Sequence, residues 1–123
     1  MAVSKHLETL NLGTEQWNGW RGNNPRIRPV LSGANLQDRD FSGIDFLKVN
    51  LSGANLKRVR FHKANLRYTD FSGCDLSGAD FENADIMLAD LTGTKMSGVV
   101  GLSREQIEDA LTDASTILPE GLA

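Results

Sequence analysis

An all-β solenoid, closed by a short helical cap at each end, is the fold this sequence predicts. Three observations carry the prediction. LSGANL stands at 31–36 and again at 51–56, and variants of it fill the chain from Pro29 to Gly98. Read in steps of five, Leu31, Leu36, Phe41, Phe46, Leu51, Leu56, Phe61, Leu66, Phe71, Leu76, Phe81, Ile86, Leu91 and Met96 share one register, and all 14 are large and apolar. All five phenylalanines of the chain fall in that register, which offers them one position in five.

The neighbours of each centre follow a rule as well. Two residues before it stand small or apolar side chains, among them Ala34, Ala54, Ala64, Cys74, Ala79, Ala84 and Ala89. One residue before it, 11 of 14 positions are Asp or Asn. After it, Ser or Thr and then Gly recur, as in Ser32–Gly33, Ser42–Gly43 and Ser72–Gly73.

A period of five excludes the two regular elements. A helix turns 100° per residue and scatters such a pattern around its axis. A straight strand alternates faces and sends successive centres to opposite sides. A short extended piece followed by a bend in every repeat satisfies the pattern, with Gly and Asx supplying the bends. The large centre and the small residue two before it then both point inward.

Sorted by fours, the centres fall into the columns Phe41/Phe61/Phe81, Leu36/Leu56/Leu76/Met96, Leu31/Leu51/Phe71/Leu91 and Phe46/Leu66/Ile86. Sorted by threes, Phe mixes with Leu in nearly every column. Like stacking on like at the inter-strand spacing of about 4.8 Å favours four sides and 20 residues per coil.

These repeats resemble the pentapeptide-repeat family, whose signature is A(D/N)LXX. It stands here as ANLQD, ANLKR, ANLRY, CDLSG, ADFEN, ADIML and ADLTG, and 14 tandem copies cover 70 of the 123 residues. The resemblance implies a right-handed quadrilateral β-helix of about 3.5 coils, roughly 17 Å of stack. The departures are Arg39 at a small inward slot, Arg60 and Lys95 at Asx slots, and Pro29–Val30 at the entry. Arg39 is expected to snorkel outward near the open end of the first coil.

A solenoid exposes raw edges and apolar end faces, so caps are expected over 1–28 and 99–123, flanking a β-helix over 29–98. Ser103 with Gln106 reads as a capping box, and Leu102, Ile107, Ala110, Leu111 and Ala114 form a stripe that predicts a helix over Arg104–Ala114. Toward the other end, Thr14 is placed to cap a short helix carrying Trp17 and Trp20 on one face, with Gly22 as its stop. That pair is expected to seal the β-helix, and it is also the second candidate for a binding site, at the open end. The Trp17–Arg21 lead-in and the Thr116–Leu122 tail resemble those of cyanobacterial members of the family.

Composition narrows the function. The 13 basic and 16 acidic residues give a net charge of −3, too weak for a polyacidic mimic and of the wrong sign for general nucleic-acid binding. One cysteine excludes an intramolecular disulfide framework, and no apolar run approaches the roughly 20 residues of a membrane span. The N-terminal MAVSKHLETLNLG lacks the apolar core and cleavage site of a secretory signal. A soluble protein of a reducing compartment, the cytoplasm, is the expectation.

Nothing in the sequence builds an active site. His6 and His62 stand far apart with no partner spacing for zinc. Cys74 fills a small inward slot and is expected to be an inert thiol. The carboxylates follow the repeat and read as turn caps, and the column Asp45/Asn65/Asp85 carries an amide between its acids, a poor site for a hard cation. No catalytic residue, metal or cofactor is therefore assigned. The basic residues Lys57, Arg58, Arg60, His62, Lys63 and Arg67 spread around three sides of the second coil. Arg58 beside Asp38, Arg60 between Asp40 and Asp80, and His62 beside Glu82 read as an electrostatic ladder between coils.

The surface signal is apolar. After Phe46, Leu66 and Ile86 come Leu47–Lys48, Arg67–Tyr68 and Met87–Leu88, where most other sides carry Ser–Gly. Leu47, Arg67, Tyr68, Met87 and Leu88 form the candidate interaction face, either covered by a terminal segment or contacting another protein. The reading is a non-enzymatic solenoid presenting a rigid surface to a protein partner or to itself, with no membrane or small-molecule substrate. The alternative comes from the resemblance: some relatives mimic duplex DNA and modulate type II topoisomerases. A short stack with a basic middle coil fits that role poorly.

Overall fold

Backbone pairing between distant residues sets the architecture. Parallel bridges join Val30 to Asn50, Asn35 to Asn55 and Asp40 to Arg60, and the same 20-residue step runs on to Asp80 with Val100. Each residue therefore lies beside the one four repeats later. The computed structural model describes residues 1–122, and its body is a solenoid.

Each repeat is a turn and a single paired residue, so no continuous strand forms. The amide of Ala34 donates to the carbonyl of Leu31 at 3.2 Å, closing the turn, and Ile44 to Phe41 and Ala54 to Leu51 repeat it. Gly33 holds φ +73° at the third turn residue, a conformation that glycine adopts without steric cost. The Asx residue braces the same turn from outside: Asp40 Oδ1 accepts from the Ser42 amide at 2.9 Å and from its hydroxyl at 2.6 Å. Between coils, Leu31 donates to Asn50 and Asn50 to Pro29, the slanted pattern of a parallel ladder.

The interior is built from the two inward slots. Phe61 is wholly buried, its ring 5.9 Å from Phe41 below and 5.2 Å from Phe81 above. The small slots hold Ala, Ile, Val, Thr and Cys, and the two hydroxyls there are satisfied: Thr69 donates to the Phe46 carbonyl at 2.8 Å and Thr94 to that of Leu91 at 2.8 Å. Cys74 copies the Thr69 contact with its Sγ, 2.9 Å from the Leu51 carbonyl.

Two helices precede the first coil, α1 over Ser4–Asn11 and α2 over Thr14–Asn23. Thr14 does not cap α2, contrary to the sequence expectation; it is the first helical residue, and Gly13 precedes it at φ +113° with no side-chain cap. Nor does Gly22 stop the helix, which runs one residue further. Arg39 leaves the inward slot as expected, but it is not free: Nη1 donates to Asn11 Oδ1 at 2.8 Å, and the guanidinium stands 5.2 Å from the Phe41 ring.

The C-terminal segment departs further from expectation. Ser103 and Gln106 make the reciprocal capping box, yet α3 covers only Arg104–Glu108 and not the predicted span to Ala114. Beyond it the chain returns to pairing, with Leu111 beside Asp90 and Ile117 beside Lys95. The open edge of the last coil offers those residues ladder hydrogen bonds that a lengthened helix would forgo: Leu91 donates to Leu111 at 2.7 Å and Met96 to Ile117 at 2.8 Å. Leu111 accordingly lies exposed rather than in a buried helical stripe.

Truncating Phe61 to alanine removes the middle ring of a stacked column and leaves a cavity on both sides. The expected cost is about 3–5 kcal/mol in urea unfolding, with circular dichroism of the native state unchanged. A loss below about 1 kcal/mol would contradict a packed interior.

Candidate surface site

The five residues of the predicted face lie along one side of the solenoid, because each pair follows a centre in the same column. Tyr68 is 46% exposed, and Met87 and Leu88 are each 41% exposed. The C-terminal segment reaches the edge of this face, where the Leu88 amide donates to the Asp109 carbonyl at 2.9 Å, but it leaves those three side chains exposed. Leu47 differs: it is half-buried, and the Arg21 guanidinium reaches its carbonyl. Arg67 lies flat across the face, Nη1 3.6 Å from an Asp85 oxygen and Nη2 3.4 Å from the Met87 sulfur. Lys48 stands 5.8 Å from the Tyr68 ring, close enough for cation–π attraction.

The backbone under this face is strained. Lys48, Tyr68 and Leu88 hold φ of +60°, +58° and +56°. The side that begins at Leu31 meets the same requirement with Gly33, Gly53, Gly73 and Gly93. A bulky side chain in the left-handed region costs about 1–2 kcal/mol per residue.

The sequence did not point to a groove beside the face. Arg28, Val30, Lys48, Asn50, Tyr68 and Asp70 line an open hollow of about 420 Å³. Its signal was present in the numbering, since 30, 50 and 70, and likewise 28, 48 and 68, stand 20 apart. A second hollow of about 180 Å³ runs from Met87 and Asp85 to Gln106 and Asp109, where α3 meets the last coil.

The tryptophan pair does not form an open site. Trp17 is fully buried: its ring packs edge-on against Phe46 at 5.6 Å, and its Nε1 donates to the Asp45 carbonyl at 2.7 Å. Trp20 is half-buried and packs against Trp17 at 5.3 Å and His6 at 5.5 Å. A stacking platform needs free ring faces; Trp17 has none and Trp20 is half-buried, so burial weighs against the second candidate site.

The electrostatic ladder is partly as expected. Arg58 makes a bidentate pair with Asp38 at 2.6 and 3.0 Å, though both are exposed and the pair adds little stability. Lys57 stands 3.8 Å from Asp75. His62 pairs with Asp80, not with Glu82 as expected: Nε2 lies 2.6 Å from Asp80 Oδ2. Burial works against the Asp80 charge, but the His62 hydrogen bond and the Glu82 amide outweigh it and hold the carboxyl below the usual range. Burial also pushes the Cys74 thiol up to about 12, so it carries no thiolate at neutral pH.

The model of the pentapeptide repeat region matches residues 29–99. The chain belongs to the pentapeptide-repeat family. Among solved structures it is similar to HetL, a pentapeptide repeat protein involved in heterocyst differentiation regulation from the cyanobacterium Nostoc sp. strain PCC 7120, with 26% identity and a TM-score of 0.61. That match covers 71% of this chain and 41% of HetL, so this chain spans less than half of that protein. It is also similar to alr5209 of Nostoc PCC 7120, with 28% identity over 79% of this chain and 75% of that one and a TM-score of 0.47. A pentapeptide repeat protein from the Arabidopsis thaliana thylakoid lumen shares 29% identity over 59% of this chain and 54% of its own, with a TM-score of 0.34. No curated protein matches at a significant level. Among the described residues no helix is long and apolar enough to cross a membrane.

Replacing Leu88 with asparagine separates a role in the fold from a role on the surface. Asparagine tolerates the left-handed region, and relief of about 1 kcal/mol of strain offsets loss of the half-exposed side chain. The unfolding midpoint of Leu88→Asn is therefore expected to match or exceed wild type. A loss of more than about 1 kcal/mol would mean that Leu88 is held there by packing.

Proposed function

We propose that this protein is a non-enzymatic scaffold of the cytoplasm, a right-handed quadrilateral β-helix of about 3.5 coils over residues 29–98. Residues 1–28 and 99–123 cap its two ends, Ala123 lying outside the described residues. Its working surface is the side carrying Leu47, Arg67, Tyr68, Met87 and Leu88, and its ligand is another protein. The observation that carries this reading is the coincidence of two local costs on one side. Tyr68, Met87 and Leu88 keep apolar surface in water, and Tyr68 and Leu88 do so from a left-handed backbone. Elsewhere the same backbone position is taken by glycine or by the polar residues Asp38, Arg58, Lys63 and Asn83. What sets this side apart is that its strained positions carry aromatic and aliphatic side chains in water.

The groove beside the face gives the partner its chemistry. Lys48, an exposed cation, stands over the Tyr68 ring, and exposed Arg28 lines the same hollow. A segment that sets aliphatic side chains on Tyr68, Met87 and Leu88 and a carboxylate near Lys48 matches both features. The likeness to HetL, a protein involved in heterocyst differentiation regulation, supports a binding role. A DNA-mimic role is weakened by the cations Lys57, Arg58, Arg60, Lys63 and Arg67 in the middle of the stack.

Immobilised protein is to be compared with a Met87→Glu/Leu88→Lys double variant, both shown folded by circular dichroism, in capture from extract of the source organism. A protein retained by wild type and lost, at least tenfold, by the variant is the expected result. Retention of the same protein by both would overturn the assignment of this face.

A further inference from the structure

We propose that His62, Asp80 and Glu82 form a binding site for a divalent transition-metal ion of the zinc class, clasping two successive coils. One imidazole nitrogen and two carboxylate oxygens lie within 4.8 Å of one another. The residues are 18 and 20 positions apart in sequence, so only the 20-residue register brings them together, and motif spacing along the chain conceals them.

The backbone fixes the donors in place. Phe61 donates to the Asp80 carbonyl at 2.8 Å and Lys63 to that of Glu82 at 3.0 Å, which locks the two segments side by side. Asp80 Oδ1 is held by the Glu82 amide at 3.0 Å, leaving Oδ2 turned to His62 Nε2 at 2.6 Å. An ion in that position replaces the shared proton. Donors around a tetrahedral zinc stand about 3.3 Å apart, so nitrogen and oxygen need to separate by less than about 1 Å. Glu82 closes on the ion from its exposed position, and water completes the coordination.

Charge and donor type agree. Asp40 and Arg60 both lie near enough to act on this cluster. Three carboxylates against one guanidinium leave about two negative charges, matched to a dication. An imidazole selects zinc, nickel or copper over calcium and magnesium, which prefer all-oxygen sites. The His62–Asp80 pair alone accounts for two of the three groups. Glu82 makes no ion pair among the described residues.

The test is isothermal titration calorimetry of the untagged full chain with zinc chloride and with calcium chloride at pH 7.5. One zinc equivalent with micromolar affinity and no calcium binding is expected. His62→Ala and Asp80→Asn should each weaken zinc at least tenfold; Asp80→Asn keeps the oxygen that caps the Glu82 amide, so its fold is preserved. Zinc at ten times the dissociation constant should raise the wild-type melting midpoint by about 5 °C and leave His62→Ala unmoved. Zinc binding weaker than millimolar, equal binding by the variants, or calcium binding as tight as zinc would each overturn the site.

Discussion

The parallel ladder between coils is the interaction on which the rest of this structure depends, and a ladder has two ends. Every coil satisfies the coil beneath it, so the first and last are left with unpaired amides and carbonyls around their perimeter. The N-terminal cap answers this with side chains in place of a further coil. Trp17 donates to the carbonyl of Asp45, and Asn18 donates to that of Gly43 while accepting from the Asp45 amide at 2.8 Å. Arg21, itself buried, donates to the carbonyls of Ile27 and Leu47. His6 Nδ1 accepts from the Val30 amide at 3.0 Å, a role that requires the neutral ring; burial, with Lys5 adding to it, lowers its pKa. Toward the C-terminus the chain itself continues the ladder for two more bridges, at Leu111 and Ile117.

That economy places function on the sides. The interior is a filled column of Phe and Leu with small residues between, and among the described residues its one titratable group is the inert Cys74. Most corners are given over to Asx turns, in which one side-chain oxygen accepts from the amide two residues on. Only the two outward residues of each repeat are free to vary. The side that begins at Leu31 fills them with Ser or Thr and Gly, and the next carries the Arg58–Asp38 pair, whereas the side with Tyr68, Met87 and Leu88 and the one with His62 and Glu82 offer groups to a ligand.

Most of this was legible from residue order. A period of five with one large apolar position is incompatible with helix or strand, and the columns of Phe and Leu point to a 20-residue coil, the step that the bridges take. The outward apolar pairs followed from the same arithmetic. The caps were harder to read because they obey tertiary rather than periodic rules. Helix α1 has no strong local signal, and Thr14 looked like a cap residue although Gly13 fills that place. The stripe from Leu102 to Ala114 favoured a long helix locally, but the open edge beside Asp90 and Lys95 captured its second half. His62 with Asp80 and Glu82 escaped notice because motif scanning runs along the chain and this cluster runs across it.

The central claim is that side chains of α2 close the first coil as completely as a neighbouring coil closes the next. Residue-resolved amide hydrogen exchange by NMR tests it most directly. The Asp45 amide, held by Asn18, should exchange about as slowly as the Asn65 amide, which sits one coil deeper on the Ile44 carbonyl at 2.9 Å. Exchange at Asp45 a hundredfold or more faster than at Asn65, a gap of about 2.7 kcal/mol, would show a frayed end and contradict the account.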